Sequence, residues 1–240
     1  MIPHASDLQR LNVIIADFCH DVVIEPLCFF SEADLQSMLF ARLLGEFATL
    51  VGTAITRGPG SKGTYRTGLV HREYGAGKGR RIDISIFAAE DIARIDDPQL
   101  TAGNKYLEPR FVIELGTEKT LDTPGHIAND IRKLSRAQEQ GYLIHFFRDT
   151  AQADIGTERR RKTEQRLKEM YRLPVNKAEL PPNVKMLCFL LRLAHTHRKI
   201  YGKCELFSLG SRRWEPVNLT RVRQQALRHL QCESGFVAGA

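Results

Sequence analysis

The sequence predicts an α/β fold, and three segments carry that prediction. Residues 31–51 place leucines and phenylalanines at helical spacing behind Ser31, which is a favourable N-cap. Residues 81–87 (RIDISIF) alternate as a half-buried strand does, and residues 110–115 (RFVIEL) form a second strong strand. Because helical and strand-like segments follow one another along the chain, we expect helices packed against a sheet.

The remaining elements follow from the same patterns. Further helices are predicted over 6–20 (alone or leading into a strand), 125–140 (closed by Gly141), 157–172, 183–200 and 219–231. Further strands are predicted over 69–74 and 142–148, with a hairpin over 203–218 that turns at Gly210. Glycine-rich loops are predicted over 57–68 and 75–79, and a loop with one helical turn over 90–108.

The composition is that of a soluble globular protein. The 240 residues are 42% hydrophobic and 26% charged, which excludes a coiled coil, a collagen-like repeat and a mostly disordered chain. There is no apolar stretch of transmembrane length and no secretory signal, so we expect no membrane association. The five cysteines are odd in number and widely spaced, and we expect free thiols in the cytoplasm.

Positive charge is clustered. The net charge is +7, yet residues 57–81 hold seven Lys and Arg against one acidic residue, and residues 156–240 hold 18 against seven. This change in charge, together with prolines at 174, 181 and 182, predicts a core over 1–155 and a basic C-terminal extension over 156–240 packed on it. Clustered cations favour a nucleic-acid partner, and the alternative is a basic surface that serves solubility.

Two carboxylates interrupt otherwise apolar strands. Asp83 lies within RIDISIF and Glu114 within RFVIEL. Burying an unpaired carboxylate is costly, and two that converge from neighbouring strands suit Mg²⁺ or Mn²⁺. The alternative is that each acid pairs with an arginine at an exposed strand end. On the helix over 31–51, Glu32 and Gln36 fall inside the apolar arc, although Glu32 also suits a helix N-terminus for electrostatic reasons.

This order of elements resembles the PD-(D/E)XK nuclease superfamily, which has the restriction-endonuclease-like fold. The resemblance covers roughly residues 25–150, on the segments Ser31-Glu32 to Leu44, Arg81-Ile82-Asp83, Val112-Ile113-Glu114-Leu115, Asp130-Ile131-Arg132-Lys133-Leu134 and Tyr142 to Arg148. It implies a mixed central sheet flanked by helices, with a helical and hairpin extension after it. It also implies a divalent metal, Mg²⁺ or Mn²⁺, on Asp83, Glu114, Glu32 and the Leu115 carbonyl. Proteins of this kind often serve restriction or anti-phage defence.

The sequence departs from the family at one catalytic position. Gly116 stands where the family has a lysine thought to orient or activate the attacking water. Two replacements are available, namely Lys119 beyond the strand and Lys133 on the next helix. Lys133 shares a helical stripe with His126 and Asp130, and the alternative for that stripe is a solvated face. Loss of the lysine could also mean loss of catalysis.

The leading hypothesis is a metal-dependent DNA endonuclease. The basic residues in and next to the predicted glycine-rich loops would hold phosphates, namely Lys62, Arg66, Lys78, Arg72, Arg80 and Arg81. The alternative is that these segments are only mobile surface loops. The second hypothesis is an inactive nuclease fold that binds DNA or docks a partner, and a third is an RNA-directed protein. An enzyme that cuts both strands of a duplex would favour a homodimer. Whether a protein partner or activator is required is left open by the sequence.

Overall fold

A mixed seven-stranded sheet forms the centre of the molecule. The computed structural model describes residues 6–57, 61–75, 81–93, 107–117, 125–149, 181–196, 199–208 and 213–231. Its helices are α1 (Asp7–Ile24), α2 (Glu32–Glu46), α3 (Ala89–Ala93), α4 (His126–Leu134) and α5 (Val222–Gln231), with a 3₁₀ turn (Leu219–Arg221) before α5. Its strands are β1 (Leu50–Arg57), β2 (Ser61–Gly68), β3 (Val70–Gly75), β4 (Arg81–Ile86), β5 (Phe111–Thr117), β6 (Gln140–Asp149), β7 (Val184–Thr196), β8 (Lys199–Ser208) and β9 (Arg213–Val217).

The strands of the sheet follow their order in the chain from β3 to β9. Strands β5, β6 and β7 are parallel, and the other neighbours pair antiparallel. Strands β1 and β2 form a separate two-stranded antiparallel ribbon. The predicted α/β architecture, a mixed sheet flanked by helices, is therefore confirmed.

Helices cover both faces of the sheet. On one side, apolar residues of α1, α2 and α5, such as Leu11, Leu35 and Leu230, join the larger core cluster. On the other side, Ile127 and Ile131 of α4 join a second cluster. Strand β4 is consequently buried from its second residue onward, which corrects the expectation of a half-buried strand. None of the helices among the described residues is long and apolar enough to span a lipid bilayer.

The main helix, α2, ends earlier than predicted. It stops at Glu46, where the Phe47 N–H bonds the Leu43 carbonyl at 2.8 Å and the Phe47 ring is buried. Leu50 therefore does not extend the core stripe of the helix but begins β1, where it is 61% exposed. The glycine-rich segment over 57–68 is likewise not a loop, since residues 61–68 pair with β1 as strand β2. Here the pairing between strands overrides the local preference of glycine for loops and turns.

Helix α4 also ends earlier than predicted. It stops at Leu134, and the Gln138 and Glu139 N–H groups then bond the carbonyls of Pro109 and Arg110. Gly141 does not close the helix but lies inside β6. A Cβ on Gly141 would approach the Leu134 carbonyl to 2.9 Å, so the close passage of helix end and strand requires glycine. Helix α1 is longer than predicted, running from a capping box at Ser6 and Gln9 to Ile24.

The C-terminal third supplies three strands of the same sheet. Residues 184–196 form β7, so the predicted helix over 183–200 is wrong. A continuous apolar run does not distinguish a buried parallel strand from a buried helix. The hairpin over 203–218 is confirmed as β8 and β9, and the helix over 219–231 as a 3₁₀ turn and α5. The predicted boundary after residue 155 and the predicted helix over 157–172 lie outside the described residues.

Candidate active site

Asp83 and Glu114 meet on neighbouring central strands. The antiparallel ladder of β4 and β5 ends at Ile84 and Ile113, so the two acids occupy the next opposed position. Both side chains are buried, Asp83 at 8% and Glu114 at 1% exposed. Oδ2 of Asp83 accepts a hydrogen bond from the Leu115 N–H at 2.7 Å, which fixes its carboxylate against β5.

The surroundings of these acids disfavour their negative charge. Burial raises the pKa of Asp83 to about 7, against the opposing hydrogen bond from Leu115 and with a further increase from Glu32. Burial, and then the charges of Asp83 and Asp130, raise the pKa of Glu114 well above its usual value. Oε1 of Glu114 is buried without a hydrogen-bond partner among the described residues. The pair therefore lacks positive charge at one oxygen.

Helix α4 brings a lysine onto Glu114. Nζ of Lys133 lies 2.5 Å from Oε2 of Glu114 and 3.1 Å from Oδ1 of Asp130. On the same stripe, Nε2 of His126 lies 3.0 Å from Oδ2 of Asp130. Asp130 is 2% exposed and Lys133 16% exposed, so this stripe is not the solvated face that was the alternative.

These contacts fix the charges of the stripe. Burial by itself would lower the pKa of Lys133, but Glu114 and Asp130 outweigh it and raise that pKa above the usual value. The hydrogen bond to Asp130 raises the pKa of His126. Although burial would raise the pKa of Asp130, the bond from His126 and the charge of Lys133 hold it below its usual value. Lys133 thus remains an ammonium ion at neutral pH, which can donate hydrogen bonds but cannot accept a proton.

Position 116 is closed to side chains by a residue that the sequence reasoning missed. Gly116 of β5 lies beside His145 of β6, and a Cβ built on Gly116 would lie 2.5 Å from the imidazole ring. His145 is fully buried, and burial lowers its pKa to about 4, so the ring is neutral at pH 7. Its Nε2 lies 4.0 Å from Oδ2 of Asp130. The one available signal was a histidine inside the apolar run YLIHFFR.

The first turn of α2 borders the site. Glu32 is the first residue of α2 and is half-buried. Burial raises its pKa, while His126 opposes this and Asp130 adds to it, which places its carboxylate within electrostatic reach of α4. Gln36 is buried, as the helical spacing predicts, and its Oε1 accepts a hydrogen bond from Nη2 of Arg72 at 3.2 Å.

The predicted phosphate-binding residues have different surroundings. Arg72 is committed to α2, since Nη1 also donates to Ser37 at 3.1 Å and the guanidinium lies over the Phe40 ring. Arg81 is exposed, with Glu73 at 3.6 Å, and Arg66 is exposed on β2. The other predicted members are the Lys62 side chain, Lys78, Arg80 and the catalytic candidate Lys119, all of which lie outside what the structure describes.

The donor set suits a hard cation bound by few protein ligands. Within the described part of the chain, no three or more His, Cys, Asp and Glu side chains are grouped so as to enclose a metal ion. Mg²⁺ typically uses one or two carboxylates and keeps several waters, so Asp83 and the unpartnered oxygen of Glu114 fit it. Because both acids are buried, their negative charge is costly unless a positive charge, such as that of a metal ion, lies beside them.

Comparisons of the chain with protein-family models, with curated proteins and with solved structures give no match. The resemblance to PD-(D/E)XK nucleases therefore stays a prediction from the sequence motifs.

Proposed function

We propose that this protein is a divalent-metal-dependent endonuclease that hydrolyses phosphodiester bonds in DNA. The observation that carries the proposal is a buried pair of carboxylates, Asp83 and Glu114, with the ammonium of Lys133 held 2.5 Å from one of them. Two buried acids beside a lysine suit metal-assisted hydrolysis of a phosphodiester.

The metal would bind on the acidic side of this cluster. Asp83 and Oε1 of Glu114 would be its ligands, with the Leu115 carbonyl and Glu32 as further donors. When bound, Mg²⁺ or Mn²⁺ neutralises phosphate charge and increases the acidity of coordinated water. The protein's own contribution is to hold two desolvated acids at one point, fixed through the Leu115 N–H.

Lys133 is proposed to act as a fixed cation. Because Glu114 and Asp130 keep it protonated, it orients the attacking water or a phosphate oxygen by donating hydrogen bonds. Asp130 holds the Lys133 ammonium in place and is itself held by His126. A lysine side chain at position 116 would collide with His145, so a lysine from another element must serve the role. We favour Lys133, which already contacts Glu114.

Cleavage of supercoiled plasmid tests this function. The wild type should nick or linearise the plasmid with Mg²⁺ or Mn²⁺ and not with EDTA, whereas Asp83→Asn, Glu114→Gln and Lys133→Met should each lower the rate at least 100-fold. Arg132→Met is the matched control, since Arg132 is the exposed cation next to Lys133 and its side chain bonds only Asn129 among the contacts described. Retention of full activity by Lys133→Met, with loss in Lys119→Met, would move the lysine's role to Lys119.

A second function is favoured by a specific observation. Lys133 already neutralises one oxygen of Glu114, and Gly116 leaves the family's lysine position empty. A chain with this arrangement could bind DNA, or dock a partner, without cutting. In that case the wild type would shift DNA in a gel with or without metal, and no plasmid would be nicked at any metal concentration.

A further inference from the structure

Helix α5 is fixed on the body of the protein by its inner side. Its buried residues Val222, Ala226 and Leu230 join the larger core cluster. On its flank, Arg223 forms an ion pair with Asp17 of α1. Because these contacts hold the helix from below and from one side, its remaining face is presented from a rigid element.

The face of α5 that points away from the core carries only arginine and glutamine. At 100° per residue, four residues fall within an arc of roughly 80° opposite the buried ones. All four are exposed: Arg221, which directly precedes the helix, Gln224, Arg228 and Gln231. Among the described residues, the side chains of Arg221 and Arg228 form no hydrogen bond or ion pair. We call these four residues the outer stripe.

Positive charge on this segment is largely unopposed. Residues 216–232 contain three arginines and no Asp or Glu. Asp17 of α1 is already bound to Arg223, and Glu215 of β9, which has contacts of its own, lines a groove together with Arg228. A surface that serves solubility usually intersperses charges of both signs. The outer stripe has one sign only, which suits a polyanionic partner.

The residue types of the outer stripe point to base edges rather than to phosphates alone. Its charged members are arginines, with no lysine, and its uncharged members are glutamines. Guanidinium and amide groups are planar and form paired hydrogen bonds, whereas an ammonium acts as a point charge. In the major groove of DNA, arginine pairs in this way with O6 and N7 of guanine, and glutamine with N6 and N7 of adenine.

We propose that α5 lies in the major groove of duplex DNA, with Arg221, Gln224 and Arg228 on base edges. The groove is about 12 Å wide and admits one α-helix. The ten residues of α5 span roughly 15 Å, enough to face several successive base pairs. Because the major groove of A-form RNA is narrow and deep, duplex RNA should not fit.

This surface is separate from the candidate active site. Helix α5 contacts α1 and β7, and the candidate catalytic and metal-binding residues lie on neither element. The inference rests on the proposed function, since it names duplex DNA as the substrate, and it adds a sequence preference that α5 determines. Because selection and cleavage then reside on different elements, each can be removed without the other.

Selection from random DNA in EDTA tests α5 without any cleavage. Wild-type protein would be used to enrich duplexes from a pool with 20 randomised base pairs, and affinities would then be measured by fluorescence anisotropy. We expect an enriched site that contains guanine. Arg221→Ala/Arg228→Ala should bind it at least about 25-fold more weakly, since each paired contact is worth about 5-fold or more in discrimination. Replacing guanine in the site by 7-deazaguanine, which lacks the N7 acceptor, should also weaken wild-type binding.

Two control variants separate base reading from charge and from folding. Arg221→Lys/Arg228→Lys keeps both charges but loses the planar groups, so it should bind DNA without preferring the enriched site. Arg223→Ala removes a charge from the same helix on the side that bonds Asp17, so it should keep the preference.

The outcomes distinguish this inference from the proposed function. The inference is overturned if the wild type enriches no site, if the double alanine or double lysine variant keeps the wild-type preference, or if Arg223→Ala loses as much. Equal binding of 7-deazaguanine DNA, or of duplex RNA of the same sequence, would also overturn it. Selective binding through α5 with no cleavage in Mg²⁺ or Mn²⁺ would refute only the nuclease. Cleavage by the wild type without a contribution from the outer stripe would refute only the role of α5.

Discussion

Replacing Asp83 by asparagine should stabilise the metal-free protein. Burial raises the pKa of Asp83 to about 7 from an ordinary 3.8, so the folded chain binds a proton that the unfolded chain has released between these pH values. The stability of the wild type therefore falls as pH rises through this window, and the cost is fully present above pH 7. Asparagine carries no charge, and its Oδ1 can still accept the Leu115 N–H.

The magnitude follows from the two pKa values. At about 1.4 kcal/mol for each tenfold change in proton affinity, the difference corresponds to about 4 kcal/mol as an upper limit at pH 8. In a domain of this size that is roughly 8–16 °C in melting temperature. Differential scanning fluorimetry in EDTA should show Asp83→Asn melting above the wild type at pH 8, with the difference shrinking towards zero near pH 4.

Asp34 provides a control of opposite sign. Backbone N–H groups of Phe30 and Ser31 and the Ser31 hydroxyl bond its carboxylate, and these contacts lower its pKa. Its contribution to stability is present above the unfolded pKa and is lost as pH falls through the folded one. Asp34→Asn should therefore destabilise at pH 8. If Asp83→Asn melts below the wild type by the same amount at pH 5 and pH 8, the argument that the buried charge of Asp83 destabilises the fold is refuted.

Three further predictions concern metal, packing and a buried hydrogen bond. Mg²⁺ or Mn²⁺ should raise the wild-type melting temperature more at pH 8 than at pH 5.5, because metal and proton compete for the same acids; an equal rise in Asp83→Asn would place the metal elsewhere. Gly116→Ala should lower the free energy of unfolding in urea by about 1–3 kcal/mol, since its Cβ would collide with His145, and adding His145→Ala should recover part of the loss. An unchanged urea midpoint for Gly116→Ala would contradict that packing. Tyr142→Phe should cost about 1–3 kcal/mol by leaving Asn12 Oδ1, now bonded at 2.8 Å, buried without its donor, and unaltered stability would argue against it.

The central strands and their acids were predictable because their signals are local. Each of β4 and β5 is a short apolar run with one carboxylate. A buried carboxylate needs a hydrogen-bonding or charged partner, whatever the position of its strand in the sheet. Helix α4 was predictable for a similar reason, since the stripe of His126, Asp130 and Lys133 lies beside a clear apolar stripe. The side of α4 that faces Glu114 is determined by tertiary packing, so the sequence pattern alone does not show it.

The elements that escaped prediction depend on contacts distant in sequence. Strand β7 has an apolar run that suits a helix equally well, and only its pairing with β6 decides the matter. Residues 61–68 contain two glycines, Gly63 and Gly68, which locally favour a loop, yet pairing with β1 makes the segment a strand. The need for glycine at position 116 depends on His145, a neighbour 29 positions further along the chain.

Manganese binding measured by electron paramagnetic resonance tests the central claim most directly, because free Mn²⁺ gives a signal that coordination to protein removes. The account predicts that the wild type binds Mn²⁺ at neutral pH, that Mg²⁺ competes for the site, and that Asp83→Asn and Glu114→Gln abolish binding while remaining folded. Binding that persists in both variants, or a wild type that leaves the signal of free Mn²⁺ unchanged, would contradict a metal centre at these two acids.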